Sequence, residues 1–313
     1  MLDKIVGPLA PVAFVIALGF LAGKRGRLTH SDSLLITRLV LNWIFPALLL
    51  VGMASTSRSQ LLDYRLIAAT FIGMMGMYAL GIVIGWLRFR ELKIATLKGF
   101  VCGYPDAAFM GIPILQSMYG PSSLYSILVL NVIASLVMIP LTTVLLTIAS
   151  GEGSGTKAFL SSILAAVRRP LLWAPAIGIM SSLLGIKFPP VLADSLNLLG
   201  KATPGVSLLC LGLIMSSVKL KLSGEIWANV GLKLVLHPAL MFAATVILSV
   251  KGIYAQQMIL LCALPSATMT AMFANDAGVY QSEAATSVLV DTALSIITFS
   301  FVIYLINAGL AAG

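Results

Sequence analysis

Ten stretches of roughly 20 predominantly apolar residues follow one another along this chain. All but the sixth, which is short, are long enough to cross a hydrocarbon core about 30 Å thick. The pattern predicts an all-α integral membrane protein with helices over residues 5–22, 34–54, 66–87, 95–118, 123–149, 171–185, 197–217, 229–250, 256–278 and 284–309, called segments 1 to 10 below. Soluble domains carry about 25% charged residues; here the figure is 10%, against 59% hydrophobic. The first apolar run is preceded only by Lys4 and followed by no small-residue cleavage site, so it reads as a retained helix.

The net charge of +9 does not point to nucleic acid, because the basic residues cluster between apolar segments. Lys24, Arg25, Arg27, Arg88, Arg90, Lys93, Lys98, Lys157, Arg168, Arg169, Lys219 and Lys221 fall on one side. Lys4, Arg58, Arg65, Lys187 and Lys251 fall on the other. Basic loops stay cytoplasmic. The expected topology therefore has both termini outside, in the periplasm, and a cytoplasmic linker over 151–170 in a multi-pass inner-membrane protein. That linker begins Gly151-Glu152-Gly153-Ser154-Gly155, a flexible composition, and 156–169 reads as a short amphipathic surface helix.

The halves 1–150 and 171–313 resemble each other. Pro46 matches Pro204 at an offset of 158 residues; Cys102-Gly103-Tyr104-Pro105 matches Cys262-Ala263-Leu264-Pro265 at 160, and Asn131 matches Asp291 at 160. Five helices per half is an odd number, so two halves in series insert with opposite orientation, as inverted repeats do in secondary transporters.

Segment 4 packs Gly103, Pro105, Asp106, Gly111 and Pro113 into eleven residues, and segment 9 follows Pro265 with Ser266, Thr268 and Thr270. Both read as helices unwound near mid-membrane, crossing there. Unwound backbone N–H groups and half-helix starts suit a carboxylate. Two ordinary packing kinks are the plainer reading. Asp106 is costly at the bilayer centre, about 2.5–3.5 kcal/mol on insertion scales. It either handles a proton or Na⁺, hydrogen-bonds substrate, or caps the second half-helix. Asp291 is a second proton or cation ligand or a polar packing residue, and Asn131 lines the site. The substrate-binding candidates are Pro105, Asp106, Ala107, Asn131, Pro265, Ser266 and Thr268; the ion-coupling candidates are Asp106 and Asp291. His237 reads as a packed, hydrogen-bonded histidine, and Lys233 as snorkelling to the cytoplasmic interface.

Cys102, Cys210 and Cys262 have no metal-ligand or disulfide spacing. No phosphate-binding loop, HExxH or Ser/His/Asp signature occurs. The chain is therefore expected to be no enzyme and to need no metal or cofactor beyond a coupling H⁺ or Na⁺.

The run Tyr104-Pro105-Asp106…Met110-Gly111-Ile112-Pro113-Ile114-Leu115…Met118-Tyr119-Gly120 resembles segment 4 of the auxin efflux carrier family, which includes plant PIN exporters and bacterial malonate-type permeases. Ala263-Leu264-Pro265…Phe273-Ala274 resembles its segment 9. The resemblance implies the fold of bile acid–sodium symporters. Segments 1, 2, 6 and 7 would be a scaffold that forms a homodimer among membrane lipid. Segments 3–5 and 8–10 would be a transport unit moving small organic anions by an elevator-type displacement, with Pro105 and Pro265 at the crossover. Many relatives carry Asn after the first crossover proline. Asp106 repels an anion unless it is protonated or holds a cation, which favours a coupled mechanism and disfavours auxin. A Na⁺-coupled symporter of larger organic anions and a non-transporting metabolite sensor are the alternatives.

Overall fold

A computed structural model describes residues 2–56, 63–151, 155–218 and 220–308. Arg58, Lys219 and linker residues 152–154 lie outside the described residues. Those described are helical, with no strand. In chain order the helices are α1 (Leu2–Lys24), α2 (His30–Leu39), α3 (Phe45–Ala54), α4 (Tyr64–Phe89), α5 (Leu92–Gly103), α6 (Ile112–Tyr119), α7 (Ser123–Ile133), α8 (Ile139–Ser150), α9 (Gly155–Val167), α10 (Pro170–Leu184), α11 (Pro190–Gly200), α12 (Thr203–Ser217), α13 (Gly224–Gly231), α14 (His237–Ile247), α15 (Ile253–Cys262), α16 (Thr268–Ala277) and α17 (Gln281–Asn307).

Many of these are pieces of longer helices joined by π-turns. The described π-turns cover Val40–Ile44, Ala107–Gly111, Ala134–Met138 and Leu232–Leu236. Each ends two residues before a proline: Pro46, Pro113, Pro140 and Pro238. Proline donates no N–H and its ring crowds the carbonyl four residues back. Widening the preceding turn relieves the crowding and lets the helix continue.

Six described helices are long and apolar enough to cross a membrane, or seven if Gly155–Ala165 and Pro170–Leu184 count as one bent span. Segments 4 and 9 do not count as separate spans for a physical reason. Segment 9 is cut into pieces too short to span alone, and the far half of segment 4 runs into segment 5 as one 44-residue stretch. That stretch turns at Gly120, whose φ of 65° suits a residue without Cβ. Segment 7 is likewise divided, into α11 and α12. Segment 8 begins at Gly224, five residues before the expected start.

The chain forms two compact units. The first comprises Met1–Asp63, Ala108–Val129 and Ala166–Ser217. Its helices meet at small residues, the usual device where lipid is as apolar as the side chains. A Cβ on Gly19 of α1 would overlap the Leu209 carbonyl of α12, and a Cβ on Gly212 would overlap the Ile16 carbonyl. A Cβ on Gly178 of α10 would likewise overlap the Leu50 carbonyl of α3. The Ser182 hydroxyl donates to Thr56 O at 2.6 Å.

The second unit comprises Tyr64–Ala107, Leu130–Ala165 and Val218–Gly313. Here α4 and α5 form a hairpin in which Gly81 faces Gly99 and Gly103 faces Tyr78. The Tyr78 and Thr142 hydroxyls are hydrogen-bonded at 2.9 Å, tying α4 to α8. Leu97, Val101, Ala274, Tyr280 and Ala284 form one apolar cluster, and Ile226, Val230, Leu234 and Val290 another.

Gly212→Ala places a methyl against a backbone carbonyl that no rotamer change can move. It is expected to cost about 1–3 kcal/mol. Gly76→Ala, which meets open space, should leave stability unchanged or raise it by up to about 1 kcal/mol. Thermal unfolding of the detergent-purified variants measures both.

Candidate functional site

The site grows out of two prolines. α5 ends at Gly103, and Tyr104 is extended at φ −105°, ψ 104°, the conformation forced on a residue before proline. α15 ends at Cys262, and α16 starts only at Thr268 after an extended Ala267 at φ −67°, ψ 140°. Both breaks lie in the second unit, and they bond to each other. Asp106 N–H donates to Pro265 O at 2.9 Å, and Ala267 N–H donates to Tyr104 O at 2.9 Å. The result is a single antiparallel bridge between Pro105 and Ser266, the one extended pairing among the described residues. Neither proline has an N–H, so the residues beside them supply the donors.

Ser266 completes the joint. Pro105 cannot donate to the carbonyl four residues back, that of Val101. The Ser266 hydroxyl lies 2.7 Å from Val101 O instead, and also 2.5 Å from Asp291 Oδ2 on α17. Ala107 N–H donates to Pro105 O at 2.9 Å, and Thr268 opens α16. Pro105, Asp106, Pro265, Ser266 and Asp291 are thus brought together by hydrogen bonds, all of them buried. Asn131 is also buried, on α7, but the bonds just described do not include it.

Two sequence-level readings are corrected here. Lys233 does not snorkel. It is fully buried, and its Nζ lies 2.8 Å from His237 Nδ1. The turn that carries it, Leu232–Leu236, packs against α17, the helix of Asp291, and against α5. Nor is Lys98 a loop charge. It is fully buried in α5, where its ammonium donates to Glu225 Oε1 at 2.5 Å and Asn229 Oδ1 at 2.8 Å. The topological bias keeps its sign without it.

Sequence reasoning missed Glu225 and Asn229 altogether. Tyr280 donates to Glu225 Oε1 at 2.5 Å, while Asn229 Nδ2 donates to Tyr280 Oη at 2.8 Å and Ser287 Oγ at 3.0 Å. At the outer end, half-exposed Arg88 pairs with Glu225 Oε2 at 3.1 Å. The signal was present in spacing: Glu225, Asn229, Lys233 and His237 recur every four residues along segment 8. That period places them on one helix face, and all four are buried. The face runs from the Arg88–Glu225 pair to the neighbourhood of the paired breaks.

The family described as "Membrane transport protein" matches residues 4–303, nearly the whole chain. This chain belongs to that family, the auxin efflux carriers. It is a membrane transporter. Among its relatives is a protein of Escherichia coli (strain K12) named "Uncharacterized transporter YfdV", 28% identical over 309 residues, covering 97% of this chain and 98% of that one. A protein of Rhizobium meliloti (strain 1021) named "Putative malonate transporter" is 24% identical over 318 residues, covering 98% and 97%. An "Uncharacterized transporter" of Methanothermobacter thermautotrophicus is 24% identical over 292 residues, covering 92% and 93%.

Lys98→Met removes the buried cation from Glu225 and leaves that carboxylate to Tyr280 and half-exposed Arg88; it should cost roughly 1–3 kcal/mol, the range for a buried hydrogen-bonding group that loses its partner. Lys98→Met combined with Glu225→Gln should recover much of that loss. Thermal unfolding in detergent reads both, and equal losses in the single and double variants would refute a pairwise role.

Proposed function

We propose that this chain is a secondary transporter of small organic anions, malonate-like carboxylates, working by alternating access. The observation that carries the reading is the joint between the two breaks. It gathers polar backbone, two half-helix starts, a serine and two aspartates at one buried place in otherwise apolar segments. The N–H groups of a helix's first turn have no intrahelical partner and carry positive partial charge, so a carboxylate suits the start of α16. The name of the Rhizobium relative supports a malonate-like substrate.

In this reading the ten segments are two inverted five-helix repeats, and Pro105, Asp106, Ala107, Asn131, Pro265, Ser266 and Thr268 surround the substrate. Asp106 and Asp291 handle the coupling ion, H⁺ or another cation. The make-up of the two compact units supports an elevator. Segments 1, 2, 6 and 7 fall in one with the far half of segment 4 and the near half of segment 5; both breaks fall in the other. The scaffold segments would form the homodimer, in an inner membrane with both termini outside.

Proteoliposomes holding the purified chain should accumulate radiolabelled malonate under an imposed pH or Na⁺ gradient. Accumulation should fall at least tenfold, about 1.4 kcal/mol or more in free-energy terms, in Asp106→Ala. Absence of uptake under either gradient would remove malonate as substrate. Full retention of gradient dependence in Asp106→Asn would remove Asp106 from coupling.

A further inference from the structure

The contacts of Ser266 constrain a proton. Its hydroxyl has one hydrogen, yet its oxygen lies 2.7 Å from Val101 O and 2.5 Å from Asp291 Oδ2. Val101 O is a carbonyl stripped of its helical partner by Pro105, and a carbonyl only accepts. Donating the serine hydrogen there leaves two oxygens facing each other across 2.5 Å, a separation that belongs to an O–H···O bond. The Ser266 hydrogen serves one of these two oxygens at a time; a proton on Asp291 Oδ2, donated to Ser266 Oγ, lets both contacts be hydrogen bonds.

Charge points the same way. Asp106, Asp291 and Lys233 are all buried, and ions of one sign left over in a hydrocarbon interior are costly. Lys233 is fully buried, with its Nζ 2.8 Å from His237 Nδ1. With a proton on Asp291, the Lys233 ammonium and the Asp106 carboxylate balance. Without it the joint carries one net negative charge and repels an organic anion. A Na⁺ ion at Asp291 would instead meet the fixed ammonium of Lys233.

We propose that Asp291 is the proton-carrying group of the transport cycle and that Lys233, oriented by His237, is its built-in counter-charge, so that the coupling ion is a proton and not Na⁺. The inference rests on the carrier reading above and deepens it. A proton from water forms the O–H bond on Asp291 before the anion binds; the bond breaks and the proton returns to water after the anion leaves. The titratable groups on the elements packed with the Lys233 turn include His237 and Glu225 along its own helix, Asp291 on α17, and Lys98 and Cys102 on α5. Arg88, Lys98, Glu225 and Tyr280 form the outer end of the same polar face.

The test is infrared difference titration of the purified full-length chain in detergent, following the C=O stretch of a protonated carboxyl. The wild type should show such a band that titrates with pH equally in NaCl and choline chloride. Asp291→Asn, which keeps the side chain's shape, should lose it, and Asp291→Glu should move it. In Lys233→Met the band should persist to higher pH by about one unit or more, the size expected when an opposite charge is withdrawn. A titrating band unchanged in Asp291→Asn, absent from the wild type, or abolished by Na⁺ would overturn the proposal. Malonate should move the wild-type midpoint upward. A band that behaves as expected while malonate moves nothing would sustain the proton site and count against malonate alone.

Discussion

Backbone polar groups in hydrocarbon have to find partners within the protein, each unsatisfied one costing several kcal/mol. Two helices broken at depth are therefore tolerable here only as a pair. The reciprocal bonds from Asp106 N–H to Pro265 O and from Ala267 N–H to Tyr104 O answer that requirement, and Ser266 covers the carbonyl that Pro105 strands. The rest of the second unit serves this joint. The close glycine contacts of α4 with α5 hold the first break in place, and α17 brings Asp291 to the second.

The same constraint explains where the charges lie. Most basic residues border the apolar segments, where water reaches them, but Lys98 and Lys233 are fully buried in helices of the second unit. A buried ion pair is weak evidence for stability, since desolvation can exceed the Coulombic gain. Keeping two such lysines beside acids in a membrane transporter is better explained by use than by folding. Lys98 with Glu225 joins segments 4 and 8, and Lys233 adds a second buried cation to the same unit.

Much of this was legible in the residue order. Apolar run length identified a helical membrane protein, and the matched prolines at 105 and 265 marked both breaks. Pairing between the breaks was harder to read, because it depends on which N–H groups remain once proline has removed its own. Lys98 was misplaced because a charge near a segment's end looks like a loop residue; its partner Glu225 lies 127 positions away. Lys233 was misplaced because snorkelling is the ordinary fate of a membrane lysine, and only the packing of α17 and α5 against its turn closes that route. Prolines 46, 113, 140 and 238 are absorbed by widened turns that keep the helices continuous.

The central claim, that the paired breaks are where an organic anion binds, is tested most directly by an experimental structure of the purified chain in malonate at acid pH. The account predicts a malonate carboxylate against the backbone N–H groups at the start of α16 and beside residues 105–107, with the Pro105–Ser266 pairing intact. Malonate bound away from both breaks, or uninterrupted helices at 104–106 and 263–267, would contradict it.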